Sequence, residues 1–133
     1  MSGFESAIQK FAARACACVR KTRSGFVENL LQSVLEQTPV ATGLLRANWQ
    51  AASGHAPQGR CALRSESAVR SEIVAASEAL NDTDGEVFLV NNLLYARAVE
   101  YGTAGGQAAP AGMLRGALAE APAILNRAAG KVK

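Results

Sequence analysis

The chain has 133 residues, of which 49% are hydrophobic and only 5% aromatic, and its formal net charge is +3. This length fits one domain with a modest core, and so few aromatic residues predict helices that pack through small side chains, helped by subunit association. No apolar run approaches the roughly 20 residues that span a bilayer, and the first residues lack a signal-peptide hydrophobic region. We therefore expect a protein made and assembled in the cytoplasm, with no membrane partner.

The cysteine content predicts no metal or redox chemistry. Cys16, Cys18 and Cys61 are an odd number and form no C-x-x-C motif. On a helix, Cys16 and Cys18 point about 200° apart, so they cannot form a disulfide with each other. We expect three small thiols that are buried or half-buried.

The first 37 residues have the pattern of one long helix. Apolar or small residues recur at steps of four and three, and they are Phe4, Ile8, Phe11, Ala15, Cys18 and Thr22. The stripe continues beyond Ser24-Gly25, which is a plausible kink or break because glycine weakens helices. An unbroken helix would be about 50 Å long, so we expect part of it to project or to pack on a neighbour. Pro39 disfavours a helical residue before it and predicts that the helix ends here.

The middle of the chain predicts a strand, a helix and a second strand. Apolar and polar residues alternate over 44–52, which indicates a strand with one buried face and makes Trp49, the only tryptophan, a core anchor. Helical spacing over 66–80 is followed by a turn at 81–85 and by an apolar run at 87–90, typical of a strand buried on both faces. His55 lies in an exposed loop without catalytic or metal-ligand partners at suitable spacing.

Two further helices are predicted after the second strand. Asn91 and Asn92 are suited to cap a helix from about Leu93, with Leu94, Ala98 and Tyr101 as its apolar stripe and Gly102 as its end. A last helix follows the glycine-rich segment, with a stripe of Leu114, Leu118, Ala121 and Leu125, and Pro122 either kinks it or opens a new turn. The predicted fold is α+β in one domain: a long N-terminal helix over 1–37, then an α+β core over 38–133 with a small β-sheet, a middle helix and a C-terminal helix.

Three motif blocks give the strongest functional signal. They read T-P-V-x-T-G-x-L-R-x-x-W over 38–49, N-x-x-x-Y-A-x-x-x-E-Y-G over 91–102 and P-A-G-M-L-R over 110–115. In this order they resemble the tail-completion (neck, head–tail joining) proteins of long-tailed bacteriophages. The chain departs from the family pattern at Ala41, Leu94 and Gly116.

The resemblance implies a structural virion protein rather than an enzyme, with no cofactor and no metal. It implies a homo-oligomeric ring, of six copies, between a head connector or head-completion protein and a tail terminator or tail-tube protein, with genomic DNA passing through the lumen. The residues that it marks as structural or interfacial are Arg46, Trp49, Tyr95, Glu100, Tyr101, Gly102, Pro110, Gly112, Met113, Leu114 and Arg115.

Two single charges within this set stand beside apolar runs. Burying Arg46 or Glu100 costs desolvation energy that a partner of opposite charge offsets. We expect them to pair with each other or across a subunit boundary, and the sequence leaves both arrangements open.

A basic lining of a DNA channel is a separate hypothesis. Its residues are Arg20, Lys21, Arg23, Arg60 and Arg64. A conduit needs weak contacts that are blind to sequence, and mobile basic side chains supply them through phosphate charge. The alternative interpretation of the cluster near residue 20 is an ordinary solvated helix face.

The segment Thr103–Ala109 joins the second and third blocks and has little apolar area with which to fix itself. We expect it to be mobile in the free subunit and to become ordered on contact with an adjacent copy or the next ring. Equal amide hydrogen exchange in free and assembled protein would refute this.

Two other functions remain open. One is a different ring of the same apparatus, such as the tail terminator or a minor tail protein. The other is a basic nucleic-acid-binding protein, which the low aromatic content, the mild charge and the absence of a known DNA-binding motif disfavour. The glycine-rich segment lacks the lysine of a phosphate-binding loop, and Asp82 and Asp84 fit a turn better than a calcium loop.

Overall fold

The computed structural model describes residues 3–40, 42–82, 84–102 and 112–131. Five α-helices and two strands occupy these ranges, so the predicted α+β class is confirmed. In chain order they are α1 (Gly3–Glu36), α2 (Leu44–Ala47), β1 (Trp49–Ser53), α3 (Glu66–Glu78), β2 (Val87–Asn91), α4 (Ala96–Tyr101) and α5 (Leu114–Lys131). A 3-10 turn, Ala79–Asn81, extends α3.

Helix α1 runs without interruption through Ser24-Gly25, so the predicted break there is wrong. Because both residues are small, α3 and α5 can approach α1 closely at this point. The Ser24 hydroxyl donates to the carbonyl of Ser77 at 2.9 Å, and Gly25 faces the Cβ of Ala128. The helix ends at Glu36, close to the predicted residue, and the Thr38 hydroxyl donates to the Val34 carbonyl at 2.8 Å.

The alternating segment 44–52 is only partly a strand. Gly43 has a φ of 86°, and the N–H of Ala47 donates to its carbonyl at 2.9 Å, which closes the one-turn helix α2 before the strand begins at Trp49. Strand β1 pairs antiparallel with β2, with Trp49 opposite Asn91 and Ser53 opposite Val87. Because this sheet has two strands, β2 is half-buried along its length and not buried on both faces as predicted.

Helix α3 was predicted at nearly its observed position. The Ser65 hydroxyl caps it by accepting the N–H of Ala68 at 3.1 Å, and Val69 and Ile73 are completely buried against the sheet and α1. Trp49 is buried beside them, and its indole N–H donates to the Thr38 hydroxyl at 2.8 Å. One hydrophobic cluster joins side chains from both strands, from their flanking segments and from all five helices.

The apolar stripes predicted for the last two helices face the wrong way. Helix α4 begins at Ala96, after a turn in which Asn91 Oδ1 accepts the N–H of Leu93 at 3.2 Å. Its buried residues are Ala96, Val99 and Glu100, whereas Leu94 is 88% exposed.

Helix α5 continues through Pro122 and packs antiparallel to α1 through its small residues. Gly25 lies beside Ala128, and Gly116 lies against the side chain of Gln37. These glycines and alanines let the two helix axes approach closely, which large side chains would prevent. Leu114, Leu118 and Leu125 are consequently exposed, while Gly116, Ala117, Ile124 and Ala128 are buried.

Candidate interaction site

Glu100 ties the end of α4 to the start of α5. It is only 5% exposed, and its carboxylate accepts backbone N–H groups from Met113 at 2.6 Å, Leu114 at 2.8 Å and Arg115 at 3.2 Å. A carboxylate at a helix N-terminus satisfies N–H groups that have no partner within the helix and complements the positive end of its dipole. Glu100 therefore caps α5 from a different helix.

Arg115 completes this connection with three contacts. Its Nε donates to Glu100 Oε2 at 2.9 Å, and its Nη2 donates to the backbone carbonyl of Glu100. The guanidinium also lies over the ring of Tyr101, 4.7 Å from the centroid. We call Glu100, Tyr101, Gly112 and Arg115 the clasp.

Gly112 leaves room for the clasp. Its φ is 81°, and a Cβ at this position would collide with the Glu100 carboxylate and the Arg115 guanidinium. A side chain here would be strained by the backbone conformation and would also displace the charged groups.

The clasp keeps Glu100 ionised. Burial opposes the charge and raises the pKa of Glu100, but hydrogen bonds outweigh burial and leave the pKa below its ordinary value. The donors are the N–H of Leu114, the Arg115 guanidinium and the backbone N–H groups of Arg115 and Met113. Because every one of these donors is engaged with the charged form, Glu100 is suited to holding the two helices together and poorly suited to proton transfer.

The clasp joins the residues on either side of segment 103–111. Gly102 ends α4 on one side and Gly112 precedes α5 on the other. The segment itself, with the predicted Thr103–Ala109 loop and Pro110, lies outside the described residues. Residues of the second and third motif blocks, through the clasp, thus connect the two chain ends at Gly102 and Gly112.

A cleft of about 230 Å³ lies beside the clasp, between the sheet and the start of α5. All three motif blocks contribute to its walls. The first supplies Trp49, the second Asn91, Ala96, Glu100 and Tyr101, and the third Met113 and Leu114; Leu89 and Arg97 complete the lining. Tyr95, also in the second block, lies exposed at the start of α4.

The predicted pairing of Arg46 with Glu100 is wrong within one chain. Arg46 Nη1 lies 4.0 Å from Glu66 Oε2, and Glu100 is bound to Arg115. Arg46 sits on α2 and faces the start of α3, whereas Glu100 faces α5.

Arg64 is held by contacts within the chain. Its Nε and Nη2 donate to the carbonyls of Ala47 and Trp49 at 2.9 and 2.8 Å, and its Nη1 donates to Glu72 Oε2 at 2.7 Å. Glu72 in turn accepts the N–H of Ala51 at 2.8 Å. The residue therefore joins α2, β1 and α3.

The other basic residues of the channel hypothesis lie in two places. Arg20 and Arg23 each lie 3.8 Å from Asp84, and Arg23 also donates to the carbonyl of Leu80 at 2.8 Å. Lys21 is exposed on α1, and Arg60 is exposed on the segment before α3. The channel hypothesis stays a prediction for all five residues, of which Lys21 and Arg60 are exposed.

Sequence reasoning missed a buried polar joint at Asn48. This residue has no exposed surface; its amide donates to the carbonyls of Leu44 and Cys61 at 2.9 and 3.1 Å and accepts the N–H of Cys61 at 2.7 Å. The sequence showed only an asparagine within an apolar stretch. The alternating apolar and polar pattern of residues 44–52 placed that asparagine on the outer face of a strand.

Large apolar side chains are exposed on several elements of the described structure. On α4, α5 and the turn before α4 they are Leu94, Tyr101, Leu114, Leu118 and Leu125, and on α1 they are Phe4, Ile8, Phe11 and Val19. Where such groups form a contiguous patch they mark an interaction surface, and these residues are the candidates for one.

The described ranges contain no cluster of three His, Cys, Asp or Glu side chains that could hold a metal ion. Within the same ranges, no helix combines the length and apolar character needed to cross a bilayer. Comparisons with models of known protein families, with curated proteins and with solved structures found no match.

Proposed function

We propose that the chain is a structural subunit of the neck of a tailed bacteriophage, a tail-completion protein that joins the DNA-filled head to the tail. The proposal begins from the three sequence blocks and their resemblance to that family. It places a homo-oligomeric ring, of six copies, between a head connector or head-completion protein and a tail terminator or tail-tube protein.

The observation that carries the proposal is the convergence of the three blocks on one cleft. Residues 49, 91, 96, 100, 101, 113 and 114 come from segments far apart in the sequence and line the same small space. Motif residues that stabilise one another are expected of a scaffold. The charged group among them, Glu100, is fully occupied by the clasp.

The exposed apolar groups near the cleft suggest how copies meet. Leu94, Tyr101, Leu114 and Leu118 stand around the flanks of segment 103–111, on α4 and α5 and the turn before α4. In a ring, each subunit offers two different faces to its neighbours, and an exposed apolar face on α4 and α5 suits one of them. The genome would pass through the lumen, and within the predicted basic set Lys21 and Arg60 are exposed and suited to weak phosphate contacts.

Deletion of the gene from a phage that carries it tests the proposal. We expect DNA-filled heads and tails of normal length that do not join, because each structure can be completed without a neck subunit. Adding the purified protein to such a lysate should yield joined, infectious particles.

The rival functions give different phenotypes. Tails of irregular length would indicate a terminator, and empty heads or absent tails would contradict a role in joining. A salt-titrated DNA-binding assay addresses the third alternative, because a nucleic-acid-binding protein loses affinity steeply as salt rises.

A further inference from the structure

Residues 3–23 of α1 form an arm, most of which projects beyond the body of the molecule. Every side chain from residue 7 to residue 17 is exposed, so no other described element covers this part of the helix. The arm leaves the body near the C-terminal end of α5, whereas the clasp holds the N-terminal end of α5.

The arm carries an apolar stripe with a heptad repeat. Its members are Phe4, Ile8, Phe11, Ala15, Cys18 and Thr22, spaced alternately by four and three residues. Such spacing describes the narrow seam of a coiled coil, which requires a second helix. Phe4 and Phe11 are 75% and 72% exposed, so the structure leaves this seam open.

The stripe continues an interface that already exists in the chain. Gly25, the next member of the repeat, is covered by α5. The register that sets Gly25 beside Ala128 and Gln37 beside Gly116 brings the last residue of α5, Lys131, beside residue 22. Helix α5 therefore covers the stripe as far as residue 22, and a second antiparallel helix would fit in line with it over the exposed stretch before that residue.

The side chains of the stripe are self-complementary in the antiparallel direction. Its large members, Phe4, Ile8 and Phe11, lie in the N-terminal half, and its small ones, Ala15, Cys18 and Thr22, lie in the C-terminal half. Two antiparallel arms centred on residue 13 set each large side chain opposite a small one. Parallel arms would crowd phenylalanine against phenylalanine and leave gaps elsewhere, and both faults destabilise packing.

We propose that the arm binds the arm of a second copy of this chain as an antiparallel two-helix pair. The opposed residues are Ile8 with Cys18 and Phe11 with Ala15, and Phe4 meets Thr22 at the junction with the end of α5. The contact has two-fold symmetry, uses the same surface on both copies and is independent of the proposed neck function.

The area available makes this a weak dimer. The exposed apolar side chains of one arm offer on the order of 500 Å² to the partner, below the roughly 800 Å² per partner of a standard interface. Area alone does not set affinity, and we expect a dissociation constant on the order of tens of micromolar for so small a contact.

Charge on the arm predicts how salt acts on the dimer. Residues 3–23 include five basic side chains and one acidic one, namely Lys10, Arg14, Arg20, Lys21, Arg23 and Glu5. Two such arms repel each other, so screening by salt should strengthen their association. Binding of the same basic arm to an anionic lipid surface would instead weaken as salt rises.

Sedimentation velocity of the full chain, from roughly 5 to 500 μM, tests the interface at the concentrations where a weak dimer forms. The wild-type protein should shift from monomer to dimer, and the shift should occur at lower concentration in higher salt. Phe11→Glu should stay monomeric, whereas Ala13→Glu, which adds the same charge to the opposite face of the same arm, should still dimerise.

Disulfide trapping tests the direction of the pair. In a Cys16→Ser, Cys61→Ser background, an added Ile8→Cys should form disulfide-linked dimers with Cys18 of the other copy under a mild oxidant. Without Ile8→Cys, the two Cys18 thiols would lie about 15 Å apart along the antiparallel pair and should not link.

Three results would overturn the proposal. Efficient linkage through Cys18 alone would indicate parallel arms. Loss of the dimer in Leu118→Glu but not in Phe11→Glu would place the contact on α5. A protein that stays monomeric at 500 μM and binds anionic vesicles through Phe11 would assign the arm to a lipid surface.

Discussion

Glu100 is a residue of the second motif block, and its carboxylate also accepts backbone N–H groups at the start of α5. The charge is stabilised by three N–H groups and a guanidinium, and burial makes each of these contacts stronger than it would be in water. Its removal therefore affects two helices at once.

We expect Glu100→Gln to lower the free energy of unfolding by about 2–3 kcal/mol, because it replaces a charged acceptor and leaves Arg115 without its partner. Chemical denaturation of the purified protein measures the change. Glu78→Gln, at an exposed position on α3, is the matched control and should alter stability by less than about 0.5 kcal/mol. Equal effects of the two substitutions would contradict the role of Glu100 as a cap.

The lowered pKa of Glu100 predicts a specific loss of stability in acid. In the unfolded chain the group titrates near its ordinary value of 4.5, and in the folded protein it titrates lower. Its stabilising contribution is therefore complete above the unfolded pKa and declines as the pH falls from about 4.5 through the folded pKa.

Denaturation curves at a series of pH values test this linkage. The difference in stability between the wild type and Glu100→Gln should be constant above a pH of about 5.5 and should shrink below about 4.5. A difference that stays constant down to a pH of about 2 would show that the carboxylate does not titrate with a lowered pKa.

Gly112→Ala tests whether the clasp needs a glycine. The substitution combines a strained positive φ with a collision against Glu100 and Arg115, so we expect a loss of about 2–4 kcal/mol. Gly54→Ala separates the two effects, since Gly54 has a φ of 88° and open space around it. If both variants lost the same stability, the collision would contribute nothing.

The residues of the clasp were found by sequence, but their contacts were not. The motif blocks identified Glu100 and Arg115, and the spacing gave no sign that they bind each other, since segment 103–111 can turn in many ways. Asn48 was missed because a buried amide and an outward-facing one look the same in an alternating pattern. The partners of polar groups depend on tertiary structure that local spacing does not encode.

At the scale of elements, Arg64 joins α2, β1 and α3. These internal contacts give Arg64 a structural role, whereas the channel hypothesis gives it a role in binding DNA. We expect Arg64→Ala to destabilise the protein by about 2–3 kcal/mol, because two carbonyls and the Glu72 carboxylate lose their donor. Arg60→Ala, four residues earlier and exposed, should change stability by less than about 0.5 kcal/mol. Thermal unfolding of both variants gives the comparison, and a stable Arg64→Ala protein would return Arg64 to the set of free basic residues.

The positions of the three longest helices were predictable, and helix orientations less so. The positions of α1, α3 and α5 follow from periodicity and from Pro39, the turn at 81–85 and the glycine-rich segment. The stripe of Leu114, Leu118 and Leu125 was real, but α5 packs on α1 with its opposite, small-residue face. Two helices with glycine and alanine at facing positions approach closely, and this contact prevailed over burial of the larger leucines.

Across the whole molecule, the wrongly oriented stripes have one physical cause in common. Periodicity marks the faces that are apolar and does not state which molecule covers them. The predicted apolar stripes of α4 and α5 are exposed in the described structure, and so is the N-terminal stripe of α1, which was expected to project or to pack on a neighbour. A core thin in aromatic residues, with completely buried Ala47 and Ala117, agrees with the expectation that small contacts hold the fold. Subunit association would then cover the remaining apolar faces.

The central claim of the proposed function is that this protein lies at the neck of a virion, between the head and the tail. Electron cryomicroscopy of phage particles that carry it, with a small tag added to the exposed C-terminal end of α5, measures that position most directly. We predict a ring of the chain between the head and the tail, with the tag at the neck and helix α5 of each copy in contact with its neighbour. Tag density at the tail tip or on the capsid surface, or particles that contain none of the protein, would contradict the account.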